Sequence, residues 1–477
     1  MKKLTLLLCF LLTIISFGQD TIASDSTYFN PDFDVKPMAV TDHNNNIFLF
    51  FLRNGDGPTV VLKYDKDYNL LVKKIITRKN YGYSKIRGYG LDEANKIHLY
   101  FTNSTSKNLL IQSLDENGDS SETKITLDIE GEKIIDGFTI NNIFHLLAYT
   151  KGTSEINRYS FNGANYEKTI YNLFKNELCN NAENSVCNLK HLFNKREIQF
   201  ISDEVPATIS QTENKLKIYP TTDKIQITSD YSVGTTQLIT LSLSDNTFEL
   251  SSYPYPNGYN NFKIKTRIKS NSFLYKDFIF QILASKKQCI LFIKSLSNNT
   301  VLKTYSFTEE ENINFKNSEI YQDNGSFSVN TKVLTDSKKF LNLLSKGSIA
   351  ITVEEKGNNI LMVFGGVTAE RSSSMPMMGM PIMNFPIGNF GSFNLFMNAF
   401  FTVENSMTTY TRSLLNKDTF EQEKGFAGIN IFELIHVYKT QDVKLKKVIR
   451  ENIFKNNGDY IYGYYNPESS KYTLLRF

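Results

Sequence analysis

The chain alternates short apolar segments with polar turns, and the pattern of residues 35–76 recurs along most of its length. In that stretch VKPMAV leads through TDHNNN into IFLFFL, and TVVLKY leads through DKDYN into LLVKKI. Short apolar runs bounded by clusters of Asn, Asp and Gly are typical of β-hairpins, because these turn residues tolerate positive φ angles. The stretch therefore predicts four antiparallel strands.

The first of these hairpins occurs seven times along the chain, with second strands that begin near residues 47, 97, 143, 225, 278, 360 and 461. The shorter spacings, roughly 50 residues, fit one four-stranded propeller blade, and the longer spacings require insertions. We therefore predict an all-β chain, with one seven-bladed β-propeller of four-stranded antiparallel blades over residues 19–477. The last repeat stops at its third strand, KYTLLRF, so residues 20–33 are predicted to complete that blade and close the ring.

In layout, these repeats resemble seven-bladed β-propellers over nearly all of the chain. The sequence contains no WD, kelch or Asp-box signature. The resemblance implies the architecture, and it implies no function, because one fold hosts many activities.

The long insertions are predicted to share one face of the propeller. Loops between strands two and three of a blade, and loops that lead to the next blade, emerge on one side, and the remaining turns emerge on the other. All long insertions belong to the first set: residues 172–214, 308–345, 365–399 and 427–447. We call that side the decorated face and the opposite side the plain face. Because loops on a rigid scaffold usually carry function, the decorated face is the predicted site.

Short helices are predicted inside three of the insertions. Leu189, Leu192 and Phe193 have helical spacing, and KKFLNLL is a second candidate. Residues Ile431 and Leu434 start a third helical pattern, although a strand also fits there. Cys179 and Cys187 are predicted to form a disulfide in the first insertion if the compartment is oxidising.

The N-terminus has the features of a secretory signal over residues 1–18. Lys2 and Lys3 precede an apolar run from Leu4 to Ile15, and small residues stand before Gln19. The ending SFGQ resembles signal peptides of Bacteroidota, which implies a Gram-negative envelope. We expect an exported protein that is periplasmic, outer-membrane-associated or secreted, without a transmembrane helix.

Charge and composition exclude some classes of partner and leave the ligand open. The net charge is +4, of which Lys2 and Lys3 supply two, so the mature chain is too balanced for a nucleic-acid footprint. Aromatic residues make up 13% of the chain and are all Tyr or Phe, which pair well across strands. Oligomeric state does not follow from the sequence.

The insertion at residues 365–399 is rich in methionine. Its candidate partner-binding residues are Met375, Met377, Met378, Met380, Met383, Phe385 and Phe390. One hypothesis is an adaptable apolar surface that docks a partner, since methionine packs against varied shapes. A second is thioether binding of Cu(I), but the loop has no His or Cys to support it. A third is a loop that buries itself against its own domain. We predict no metal and no cofactor.

A tyrosine-rich connector, SSYPYPNGYNNF, leaves the fourth repeat on the decorated face. Its candidate binding residues are Tyr253, Tyr255, Tyr259 and Phe262, whose rings could stack on sugars or peptides. The alternative is a proline-braced connector whose rings pack on neighbouring blades.

Catalytic signatures are absent from the sequence. There is no GxSxG, no phosphate-binding glycine loop and no HExxH. His98 and His145 occupy equivalent positions in two repeats, for which we predict a structural role. The frequent turn carboxylates are predicted to form turns. The leading hypothesis is a non-enzymatic exported scaffold that binds a protein, peptide or glycan partner on its decorated face. The alternatives are a glycan-active propeller enzyme and an outer-membrane β-barrel, whose chains often end, as this one does, in Phe.

Overall fold

The computed structural model describes residues 19–27, 29, 35–53, 57–80, 82–103, 107–175, 179, 186–194, 197–202, 204–256, 268–323, 332–369, 406–441, 445 and 447–477. Within these residues the strands form seven separate sheets, five of four strands and two of five. The predicted all-β, seven-bladed propeller is thereby confirmed.

Blades 1 to 3 each hold four consecutive antiparallel strands. Blade 1 comprises β2 (Val35–Thr41), β3 (Ile47–Arg53), β4 (Thr59–Tyr64) and β5 (Leu70–Ile76). Blade 2 comprises β6 (Lys85–Leu91), β7 (Ile97–Thr102), β8 (Asn108–Leu114) and β9 (Ser120–Thr126). Blade 3 comprises β10 (Glu132–Ile140), β11 (Ile143–Thr150), β12 (Glu155–Asn162) and β13 (Asn165–Asn172).

Blades 4 and 6 have five strands, and blade 5 has four. Blade 4 comprises β14 (Ile198–Phe200), β15 (Leu216–Pro220), β16 (Lys224–Ser229), β17 (Thr235–Ser242) and β18 (Phe248–Pro254). Blade 5 comprises β19 (Lys269–Tyr275), β20 (Phe278–Ala284), β21 (Gln288–Ser295) and β22 (Val301–Thr308). Blade 6 comprises β23 (Ile320–Asp323), β24 (Lys332–Leu334), β25 (Ser348–Lys356), β26 (Asn359–Ala369) and β27 (Ser406–Asn416).

Blade 7 joins the two ends of the chain. Its inner three strands are β28 (Ile449–Asn456), β29 (Asp459–Asn466) and β30 (Lys471–Arg476). The outermost strand is β1 (Asp20–Ser26), which pairs antiparallel with β30 from Asp20 opposite Arg476 to Ser26 opposite Lys471. The edge of β30 is therefore covered by a strand from the start of the chain.

The helices lie in the long connections between strands. A 3-10 helix (Leu173–Lys175) and α1 (Leu189–Asn194) lie between β13 and β14, and α2 (Ile209–Thr212) lies between β14 and β15. Helix α3 (Ser337–Lys346) precedes β25, and α4 (Ile431–Gln441) lies between blades 6 and 7. Residues from Ile431 therefore form a helix, and the alternative of a strand there is wrong.

The second strand of blade 1 is apolar on both sides because each side meets a different neighbour. In β3, Phe48, Phe50 and Leu52 belong to a core shared with blade 2. Ile47, Leu49 and Phe51 belong to a core shared with blade 7. A strand buried on both faces needs continuous rather than alternating apolar positions.

The turn carboxylates close hairpins, as expected. The Oδ1 atom of Asp65 accepts hydrogen bonds from the backbone N–H groups of Asp67 and Asn69, at 2.9 and 2.8 Å. Asp42 and Asp115 make the same pair of bonds. Tyr68, three residues after Asp65, has φ 65°, the left-handed conformation that these turns require.

Blade 6 departs from the predicted strand order. In a blade of four consecutive strands TYTRSLLNKDTFEQEK would supply the third and fourth strands, but after β27 the chain returns with only one isolated bridge, Leu415 to Gln422. Strand β23, from the preceding insertion, pairs with the rest of β27. Strand β26 also continues to Ala369, past the predicted insertion boundary at residue 365. Gly365 fits there because a Cβ would lie 2.1 Å from the Thr409 carbonyl oxygen.

Candidate functional site

The predicted tyrosine surface is buried where the structure describes it. Tyr253 is 4% exposed and its hydroxyl donates to the Leu296 carbonyl at 2.9 Å. Tyr255 is 6% exposed and its hydroxyl lies 3.4 Å from Asp230. These two rings therefore pack in the core, as in the braced-connector alternative, and the stacking role expected for them is wrong. Tyr259 and Phe262 lie outside the described residues.

The methionine-rich candidates also lie outside the described residues: Met375, Met377, Met378, Met380, Met383, Phe385 and Phe390. Their insertion connects β26 to β27 on the decorated face. The hypotheses about this loop therefore stay predictions.

A disulfide joins Cys179 to Cys187, with 5.5 Å between the Cα atoms. Both cysteines belong to the core between blades 3 and 4, together with Leu189 and Leu192 of α1. The Cys187 carbonyl also accepts a hydrogen bond from Ser154 at 2.6 Å. The described part of this insertion therefore packs against blades 3 and 4.

His98 and His145 each bond a serine on the neighbouring strand of their own blade. His98 Nδ1 lies 2.7 Å from Ser113 Oγ, and His145 Nδ1 lies 3.0 Å from Ser160 Oγ. His98 Nε2 also lies 3.1 Å from Asp92 Oδ2. Among the described residues no cluster of three or more His, Cys, Asp or Glu side chains is arranged to hold a metal ion.

Acid should destabilise the fold partly through His145. Burial, and then the nearby Arg158, lower the pKa of His145 to about 3. Because the unfolded chain takes up this proton near pH 6.5 and the folded chain does not, the free energy of unfolding should fall by up to about 1.4 kcal/mol per pH unit below that value. We expect His145→Gln to remove this part of the slope in urea unfolding between pH 7 and 4. The exposed His191 gives the control His191→Gln, and equal slopes in both variants would contradict the prediction.

The central channel contains a segment that sequence reasoning missed. Strand β14 pairs in parallel with β15, Ile198 opposite Leu216, so the chain enters from the decorated face and runs toward the plain face. It then returns through α2, which Thr208 and Gln211 begin with a reciprocal capping box. On this return the Ala207 carbonyl accepts from Thr352 of blade 6 at 3.0 Å. We call residues 198–214 the channel segment.

A cavity of about 460 Å³ lies between the channel segment and the plain-face turns of blades 4 to 7. This size is within the range of small-ligand sites. Its base is largely apolar and includes Ile201, Val205, Tyr219, Phe273 and Val353. Its rim carries charges of both signs: Asp223, Lys224, Lys276, Asp277, Glu354, Glu355 and Lys455.

A second, narrower pocket adjoins the cavity, and Pro206, Ala207 and Glu354 line both. It lies between the channel segment, α4 and one side of blade 6. There the Arg412 guanidinium pairs with Glu433 and lies 5.1 Å from the centre of the Tyr321 ring.

The short sequence EIQFISDEVPATIS gave one usable signal for this site. Ile198, Phe200 and Ile201 form a short apolar run that polar residues flank on both sides. That run predicts burial. It does not predict which surface buries it, because its partner strand β15 also pairs with β16 of blade 4.

Comparison with known proteins identifies no family. No family model matches the chain, and no curated protein matches it. Solved structures give low similarity: an ACO/RPE65 chimera (9% identity, TM-score 0.31, covering 60% of this chain and 63% of that one), the dihydro-heme d1 dehydrogenase NirN (10%, 0.30, 83% and 67%) and the Dos1 propeller (10%, 0.30, 80% and 78%). The chain thus spans less than two thirds of the chimera. The sheet topology alone defines the fold.

No helix in the described ranges is long and apolar enough to cross a membrane.

Proposed function

We propose that this protein is an exported, non-catalytic β-propeller scaffold that binds a protein, peptide or glycan partner on its decorated face. The observation that supports the proposal is the unequal length of the connections between strands. The long connections join a second strand to a third strand or one blade to the next, whereas the hairpins that join first to second strands, such as Asn141–Asn142 and Asn457–Gly458, are tight.

The described parts of the insertions are anchored in the ring, which supports their use as a platform. Phe340 of α3 is fully buried between blades 5 and 6. Lys439 of α4 contacts both carboxylate oxygens of Glu451 in blade 7 at 2.8 Å. A rigid base of this kind holds the loops above it in defined positions, which reduces the entropy lost on binding.

The test compares matched changes on the two faces. One variant replaces residues 370–405 with a short Gly/Ser linker, and a control replaces the plain-face turn at Asp65–Asn69 with another hairpin turn of the same length. Labelled wild-type protein would first be screened on a glycan array. Immobilised wild-type protein would be tested for binding to envelope proteins of the producing cell. We expect a ligand retained by wild type and control and lost by the linker variant.

Equal retention by all three proteins would reject the methionine-rich insertion as the binding element of the decorated face. Hydrolysis of a retained glycan would reject the non-catalytic part of the proposal. Fractionation of the producing cells tests export separately, because a cytoplasmic, uncleaved chain would overturn that part alone.

A further inference from the structure

The plain-face cavity is a blind pocket, because the channel segment closes it from below. Ile201 donates its backbone N–H to the Ile218 carbonyl at 2.9 Å, which fixes the segment against blade 4. Thr352 fixes it against blade 6 through Ala207. A ligand that enters from the plain face therefore meets an apolar base that is held on two sides.

One charged group of this pocket is much more shielded than the others. The Glu354 side chain is 14% exposed, whereas that of Glu355 is 40% exposed and that of Lys276 is 56% exposed. Oε1 of Glu354 lies 2.6 Å from Lys356 Nζ. Burial raises the pKa of Glu354, the pair with Lys356 lowers it, and the nearby Glu433 raises it again. A further cation beside the Lys356–Glu354 pair would be stabilised, since burial and the Glu433 charge both disfavour the ionised Glu354.

The rim and the base favour different parts of one ligand. The apolar base suits a hydrocarbon side chain, and the shielded carboxylate suits an ammonium group. The exposed rim residues Lys224, Lys276, Asp223 and Asp277 offer donors and acceptors to a polar backbone. A sugar would leave the base without an apolar partner and Glu354 without a further cation.

We propose that the plain-face cavity binds the N-terminus of a short peptide, with the apolar first side chain on the base and the α-ammonium group at Glu354. This site is separate from the decorated face and does not depend on the function proposed for that face.

The test measures calorimetric binding of the tripeptide Leu-Gly-Gly to the mature chain. We expect acetylation of its amino group to weaken binding about tenfold or more, because a charge-assisted hydrogen bond is lost. Gly-Gly-Gly should also bind more weakly, since it lacks the apolar side chain. Glu354→Gln should remove the difference between free and acetylated peptide, and the rim control Glu355→Gln should keep it.

A second variant tests the same site in case Glu354→Gln does not fold. Ser202 lines the cavity and is partly exposed, so Ser202→Trp should fill the cavity and abolish binding while the melting temperature stays close to that of wild type. Equal binding of free and acetylated peptide, no binding at millimolar concentration, or binding of maltose in place of the peptide would each overturn the proposal.

Discussion

Replacing Lys217 with methionine is expected to lower the free energy of unfolding by about 3–5 kcal/mol, because it leaves a buried carboxylate without its cation. Lys217 Nζ and Asp230 Oδ2 lie 3.8 Å apart, and both side chains are fully buried. Lys217 also donates to Asn271 of blade 5 at 2.6 Å. Burial lowers the pKa of Lys217 to about 8, so the group is still mostly charged at neutral pH.

Urea unfolding at pH 7 checks this prediction. Lys276→Met is the control, because the Lys276–Glu355 pair is exposed and such pairs contribute only about 0–1 kcal/mol. The double variant Lys217→Met with Asp230→Asn should lose less stability than the two single variants added together. A loss under about 1 kcal/mol for Lys217→Met would show that the pair is not buried as described.

Truncating Phe340 to alanine is expected to cost about 3–5 kcal/mol, the usual loss for a buried aromatic ring. Its ring lies 6.1 Å from that of Phe307 in blade 5 and 6.2 Å from that of Phe364 in blade 6. Helix α3 therefore contributes to the core although it comes from an insertion. The measurement is the midpoint of chemical unfolding, followed by circular dichroism.

Phe426 is 71% exposed and gives the matched control. Phe426→Ala should change stability by less than about 0.5 kcal/mol. If the two phenylalanine variants had the same stability, α3 would be an appendage and blades 5 and 6 would pack without it.

The repeats could be predicted because each blade uses the same local chemistry. Asp65 and its equivalents specify a turn from side chain to backbone within five residues, and the strands between turns are apolar where two neighbouring blades cover them. Such signals are local, so they can be recognised without the partner. The start of β3 at Ile47 and of β7 at Ile97 follows directly from them.

The departures from prediction all depend on distant partners. Strand β23 is recognisable only once β27, with Tyr410 opposite Tyr321, is in place. The channel segment is recognisable only once the ring exists around it. Tyr255 was a candidate for stacking on a ligand, but its hydroxyl contacts Asp230 and Thr236, which come from earlier in blade 4. The cavity depends on four blades together and has no local sequence signature.

Pairing of the first strand with the last sets a limit on when the molecule can finish folding. Ser24 and Thr473 are hydrogen-bonded across 449 positions of sequence. During synthesis β1 is made first and must wait for β30, which is made last, while blades 1 to 6 can form in order. Such distant contacts slow folding and prolong the exposure of unpaired edges. A chain that stops short of residue 471 would lose the partner of β1 and leave blade 7 as a two-stranded hairpin, too small to be stable by itself.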